Sequence, residues 1–332
     1  MKTSTINRLC AGLLAGVCVA MSAYLAHGAV EDRIEKAFPV KEGGKLIMDI
    51  DRGSINVKTV SDSTLKIEVV RRVEKANRER GEQILRDHKV EFTQEGADVQ
   101  VQSEFQGGAF WNQGSNLQVR YFVIAPKKFN VELKSKGGNI VVTDLEGTAD
   151  ARTSGGNLDF GEMQGPIVGK TLGGSIAVAS CKEKLAVETS GGNITIGDAN
   201  SSVSAKTLGG SIKIQKAKGD VVAHTSGGNI DIADVAGKLE ASTLGGSVNA
   251  NLSQPPPGDC VLKTTGGNIQ VKLPETAGVD LDAKSKGGSV STDFPVPNES
   301  KPRRTSLKTK LNGGGPAFVA RTSGGSVRIN KR

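Results

Sequence analysis

The chain has 332 residues, 43 of them glycine, a formal charge of +8 and only 4% aromatics. With so few aromatic rings there is little from which to build the stacking platform that single-stranded nucleic acid needs, so nucleic acid is disfavoured as a partner. The basic balance favours other anionic partners: anionic polysaccharide, lipid head groups or an envelope protein.

Lys2 and Arg8 precede an uncharged apolar run over residues 9–25, and small residues follow at Ala26 and Gly28. This is the pattern of a secretory signal peptide, residues 1–28, cut after Gly28. A retained anchor helix is the alternative, but an apolar run of 17 residues is short for spanning a bilayer. Lipid attachment at Cys18 is disfavoured because the bulky Val17 stands where a small residue is wanted. The expected location is therefore a periplasm, the cell surface or the exterior. Cys10 and Cys18 leave with the leader, and loss of Lys2 and Arg8 lowers the charge to +6. Cys181 and Cys260 remain, too few for a disulfide framework and wrongly spaced for zinc.

Residues 38–130 read as an N-terminal cap with the first coils, 131–332 as a repeat region, and 38–332 as one structural unit. LIMDIDRGSINV at 46–57 alternates apolar and polar residues on both sides of Arg52-Gly53, as two short strands meeting at a corner do. Strand-like runs follow at 65–70, 90–92, 99–101 and 119–124. The charged stretch 74–88 carries Ile84 and Leu85, which indicate a short helix. The loop QGGAFWNQGSN at 106–116 holds Trp111, whose expected role is packing against the cap rather than contacting a ligand.

Beyond residue 131 a paired glycine returns. Pairs begin at Gly137, Gly155, Gly173, Gly191, Gly209, Gly227 and Gly245 in strict 18-residue register, then at Gly266, Gly287 and Gly324. Insertions such as SQPPPGD at 253–259 and PVPNESKPRR at 295–304 lengthen the later gaps. Six residues before each pair stands an apolar or nearly apolar residue, as Val131, Leu185 and Leu239 do. Two before it stands Thr or Ser, and Ile or Val dominates at the third and fifth places after the first glycine.

A period of two on both sides of the glycines excludes helix and marks two strands joined at a corner. One unit cannot bury its apolar face alone, but units stacked about 4.8 Å apart create a continuous core. The expected fold is all-β: a single-stranded parallel β-helix (β-solenoid) of 18-residue coils with an irregular N-terminal cap containing a short helix. The glycines suit a corner that needs positive φ or close backbone approach. A phosphate loop, by contrast, joins a strand to a helix. The Thr hydroxyls are expected to bond along the ladder. SGGN units alternate with LGGS units, which leaves two readings: adjacent coils that stagger small and large residues, or one 36-residue coil made of two units. The inward residues of one unit suffice to close a narrow core, which favours 18.

The G-G-x-L-x-M-D of 43–49, the R-G-S-I-x-V of 52–57, the A-P-K of 125–127 leading into SKGGNIVV, the run of S/L-GG-N/S-I units and the TDFPV of 292–296 before a final TSGGSVRI resemble the DUF4097 family. The resemblance spans residues 38–330. It implies a right-handed coil, in keeping with the hand of parallel crossovers, and an adhesin-like role. It brings no catalytic or ligand residues.

Polysaccharide-cleaving β-helices need clustered carboxylates or a Ca²⁺ site with basic partners. Glu132 and Asp150 are expected side by side on the outer face, and Asp144, Asp198 and Asp234 share one repeat position but skip coils. Neither set is dense, and both read as a solvated face. His27, His88 and His224 lack metal spacing, and no nucleophile stands with a base. No catalytic residue, metal or cofactor is assigned. What remains is surface chemistry. Three residues before the pairs, on the outward face, stand Lys134, Arg152, Lys170, Lys206, Lys263, Lys284 and Arg321, interrupted by Glu188, His224 and Ser242. These seven cations are the candidate site for an anionic polymer, against the plain alternative that a solvent-facing strand needs polar residues. The leading expectation is an exported, non-enzymatic binding or structural module of the envelope. A polysaccharide-active enzyme and a protein-interaction scaffold in an envelope-stress system are the alternatives.

Overall fold

The computed structural model describes residues 25–26, 29–106, 116–296 and 304–332. Of the expected signal peptide only residues 25–26 are described; its cut after Gly28, and Trp111, lie outside the described residues. Two sheets, of 15 and 14 strands, enclose the core between them.

Each coil contributes one strand to each sheet. Leu185–Thr189 precedes its glycine pair and Ile194–Ala199 follows it, and the two belong to opposite sheets. Ile167 pairs in parallel with Leu185, Leu185 with Val203, and Ile176 with Ile194. The register advance is thus 18 residues, so the coil is one unit and not two. Equivalent inward residues fall into files, of which Ile176, Ile194, Ile212 and Ile230 are one, fully buried. Cys181 occupies such a file between Met163 and Ala199.

The two glycines of a pair do different jobs. Neither takes positive φ; in the corner file that conformation is confined to Gly53, where Arg52-Gly53 replaces the pair. A Cβ on the second glycine, Gly192, would lie 2.1 Å from the Gly174 carbonyl oxygen, whereas one on Gly191 would lie 3.2 Å from that of Gly173. Close backbone approach between coils is therefore what demands glycine, at the second position above all.

The Thr file explains where that carbonyl goes. Thr189 Oγ1 donates to the Gly174 carbonyl at 2.7 Å and accepts from the Gly192 N–H at 3.3 Å. The same two bonds recur at Thr171, Thr207, Thr225 and Thr243. Each hydroxyl ties a corner to the coil before it, so the expected bonding along the ladder runs through backbone carbonyls. The residue after the pair adds a third tie. Ser175 N–H donates to Asn157 Oδ1 at 2.8 Å and Asn193 N–H to Ser175 Oγ at 3.1 Å. Asn and Ser recur there because both offer a short-reach acceptor.

Neither end of the stack follows chain order. Leu46 pairs with both Val131 and Val99, so the coil containing 46–57 lies between the coil of 131–142 and an outer one built from Asp98–Phe105 and Leu117–Pro126. At the other end Phe318 pairs with both Cys260 and Leu281. The final coil, Ala317–Thr322 and Val327–Lys331, is thus spliced between its two predecessors.

Antiparallel strands close the ends. Ser306–Leu311 lies on Val279–Ser285, His88–Glu95 on Asp98–Phe105, and Ala29–Pro39 on Thr64–Glu74, which itself lies on Leu117–Pro126. These strands end the parallel register of the stack, and Ser306–Leu311 and His88–Glu95 are themselves the edges of their sheet. The helix Arg78–Asp87 starts at Asn77, whose side chain accepts from the Arg80 N–H, and it buries Ile84 and Leu85. No helix among the described residues is long and apolar enough to cross a membrane.

Candidate functional site

Parallel register brings all seven predicted cations into one file. Arg152 pairs with Lys134 and with Lys170, and the file continues through Glu188, Lys206, His224, Ser242 and Lys263. It ends in Arg321 and then Lys284, in that order because the last coil is spliced in. On the glycine-corner side the file lines two abutting grooves. The larger, about 940 Å³, takes Lys206, Lys263, Lys284 and Arg321; the smaller, about 420 Å³, takes Lys134, Arg152 and Lys170. They meet at Glu188 and Ser190.

Five of the seven cations are held by carboxylates. Lys134 lies 2.8 Å from Glu132, Arg152 2.8 Å from Asp150, and Lys170 3.1 Å from Glu188. Arg321 and Lys284 share Asp282 at 2.9 and 4.0 Å. Residues two apart in a strand share a face, so Glu132, Asp150 and Asp282 each sit beside the cation two places on. Hydrogen bonds from Lys134 and then Lys45 hold the Glu132 carboxyl down at about 2. Glu132 in turn raises the Lys134 ammonium above its ordinary value. Lys206 and Lys263 have no ion pair among the described residues, and both line the larger groove. Among the described residues, the cations of the file without an ion pair are thus both in the larger groove.

A second file borders the grooves, one residue before each pair. Leu172, Leu208 and Leu244 are 62%, 61% and 61% exposed, and Ser154, Ser190 and Ser226 alternate with them. The stagger of small and large residues in adjacent coils is therefore on the outside. Its sequence signal was the alternation of LGGS with SGGN, which carried no sign of which way the Leu points.

The carboxylates weighed from the sequence are tied up in local contacts. Glu132 and Asp150 are register neighbours, but each is engaged by its own cation. Asp144 accepts the Glu162 N–H at 3.2 Å. Among the described residues no group of three or more His, Cys, Asp or Glu is placed to hold a metal ion. Cys181 and Cys260 are free and buried, and burial pushes both thiols up.

A buried polar cluster joins the cap to the first coil. Arg71 grips Asp32 and donates to the Leu85 and His88 carbonyls. Tyr121 donates to Ser103 Oγ at 2.8 Å, Ser103 Oγ donates to Asp51 Oδ1 at 3.3 Å, and His88 Nε2 stands 3.4 Å from Asp51. Burial alone would raise the Asp51 carboxyl, but His88, Arg52 and the Phe105 N–H outweigh it and hold it below its ordinary value. The cluster ties the cap to the first coil, while His88 Nδ1 is buried without a hydrogen-bond partner.

The family model of Toastrack DUF4097 matches residues 48–330. No curated protein matches the chain. Among solved structures it is similar to one described as a "putative adhesin" from Parabacteroides distasonis, at 13% identity and a TM-score of 0.41, covering 90% of this chain and 97% of that one. A "putative lipid binding protein" from the same organism matches at 14% and 0.34, covering 90% and 96%. A "putative adhesin" from Bacteroides fragilis matches at 13% and 0.32, covering 90% and 97%.

Proposed function

The chain belongs to the Toastrack DUF4097 family, and from that premise we propose an exported, non-enzymatic, adhesin-like solenoid that holds an extended anionic polymer along its corner grooves. The observation that carries this reading is the single file of seven cations in two abutting grooves, with Lys206 and Lys263 in no ion pair among the described residues. A spacing of about 4.8 Å per coil offers successive contacts to an extended chain, and linked weak contacts add through effective concentration. Anionic polysaccharide of a periplasm or cell surface has that chemistry. A polysaccharide-active enzyme has less support, because Glu132, Asp150 and Asp282 are each tied to a cation. A scaffold in an envelope-stress system has no particular residue in its favour.

Binding of the protein to alginate or polyphosphate across a salt series tests the proposal. Affinity should fall steeply, since exposed charges are screened over about 8 to 10 Å near physiological ionic strength. Reversing Lys170, Lys206 and Lys263 to Glu should abolish binding with the fold intact. Reversing Lys66, Lys75 and Lys89 in the cap is the charge-matched control. Equal losses would mean that net charge alone matters, and no loss in either would reduce the file to a solvated face.

A further inference from the structure

We propose that the glycine-corner edge docks on an anionic bilayer, with Leu172, Leu208 and Leu244 entering the interface and the flanking lysines meeting lipid phosphates. This rests on the anion-binding reading of the same groove and names the source of the anion.

Between Lys136 and Lys286 the leucine file holds only Ser, Thr and the three leucines, and Asp51 of the preceding coil is the next register position beyond Lys136. No acid interrupts that stretch. The file is also regular. Gly191 N–H donates to the Leu172 carbonyl, Gly209 N–H to that of Ser190 and Gly227 N–H to that of Leu208, each at 2.9 Å. Those bonds form equally well behind Ser and behind Leu, so the fold does not require Leu at this position. Single exposed apolar residues are ordinary on protein surfaces. Three at one register position, one in every second coil and each more than half exposed, present a row of apolar side chains that the fold leaves uncovered.

The spacing discriminates between occupants. Two coils separate successive leucines by about 9.6 Å, whereas an extended peptide shows one face about every 6.8 Å and would fall out of step. A second copy of this chain, docked edge to edge, would set one file of lysines against another. A bilayer has no lateral repeat to match. It accepts an edge of any repeat, with apolar side chains at the acyl boundary and Lys or Arg reaching back to the phosphates. Anionic lipid supplies the complementary charge for Lys206 and Lys263.

The test uses co-sedimentation with sucrose-loaded vesicles of phosphatidylcholine, with and without phosphatidylglycerol, beside polyphosphate binding. The variant is Leu172→Ser, Leu208→Ser and Leu244→Ser together, which installs the residue already present in alternate coils. Its melting temperature should be unchanged. The unaltered protein is expected to sediment with the anionic vesicles only. The serine variant is expected to lose vesicle affinity by roughly tenfold or more while keeping its polyphosphate affinity. Lys206→Glu with Lys263→Glu should weaken both. Polyphosphate binding without vesicle binding in the unaltered protein would overturn the docking edge and leave the polymer reading standing; loss of both would remove the two together. Undiminished vesicle binding by the serine variant would also overturn it. So would a dimer that the serine variant dissolves while vesicle binding stays absent.

Discussion

Gly192→Ala and Gly191→Ala differ by one position and should differ several-fold in cost. The Cβ at 192 would stand 2.1 Å from the Gly174 oxygen, about 1.3 Å short of the 3.4 Å of ordinary contact. That oxygen is also the acceptor for Thr189 Oγ1, which in turn accepts from the Gly192 N–H. Moving it aside sacrifices two hydrogen bonds at about 0.5 to 1.5 kcal/mol each and leaves a buried carbonyl without a donor, about 1 to 3 kcal/mol more. The expected loss is about 2 to 6 kcal/mol. At 191 the contact is 3.2 Å, so a shift of tenths of an ångström suffices. There the entropy removed from the unfolded chain, about 0.4 to 1 kcal/mol, offsets the crowding. Urea and thermal melts followed by far-UV circular dichroism measure both. Equal midpoints for the two variants would refute the claim that backbone approach, not turn conformation, selects the second glycine.

Thr189→Val keeps the shape but removes both corner bonds, and a loss of about 1 to 3 kcal/mol in the same melts is expected. Glu132 titrates near 2 in the fold against 4.5 ordinarily. Its contribution is therefore full above pH 4.5 and is lost as the pH falls toward 2, so Glu132→Gln should flatten that part of a stability–pH profile. Labelling of the denatured, unreduced protein should find Cys181 and Cys260 both free, while in the native protein burial and the raised thiols should make both slow to react. Removing residues 317–332 takes out an interior coil, not an end. Leu281 should then stack directly on Cys260, which hydrogen exchange would report as retained protection over Val279–Ser285; full loss of protection there would contradict it.

The repeat was legible because every coil states it: Val131, Ala149 and Ile167 at one place, Thr153, Thr171 and Thr189 at another. Period two gave the strands and the constant interval gave the coil. The cation file followed, since a fixed register of 18 can only stack like on like. Its neutralisation was less visible, although Glu132-x-Lys134 and Asp150-x-Arg152 carry the spacing that strands bring together. Ala29–Pro39 was not read as a strand at all. Glu31, Asp32, Arg33, Glu35 and Lys36 crowd its pattern, and Ile34 and Phe38 are only half-buried against Val69 and Leu65.

The order of the end coils was illegible for a deeper reason. A repeat specifies what each position must be, and says nothing of which coil lies next. Phe318 stacks on Cys260 and on Leu281 with the same register, and all three satisfy one template, so inward packing scarcely distinguishes the orders. The connections supply the distinction. Leu273 and Val279 are joined by a short link, whereas the chain leaving Thr292 first lays Ser306–Leu311 antiparallel on Val279–Ser285. That strand occupies the outer edge where the final coil would otherwise add. The remaining vacancy for Ala317–Thr322 lies on the inner side, between Cys260 and Leu281.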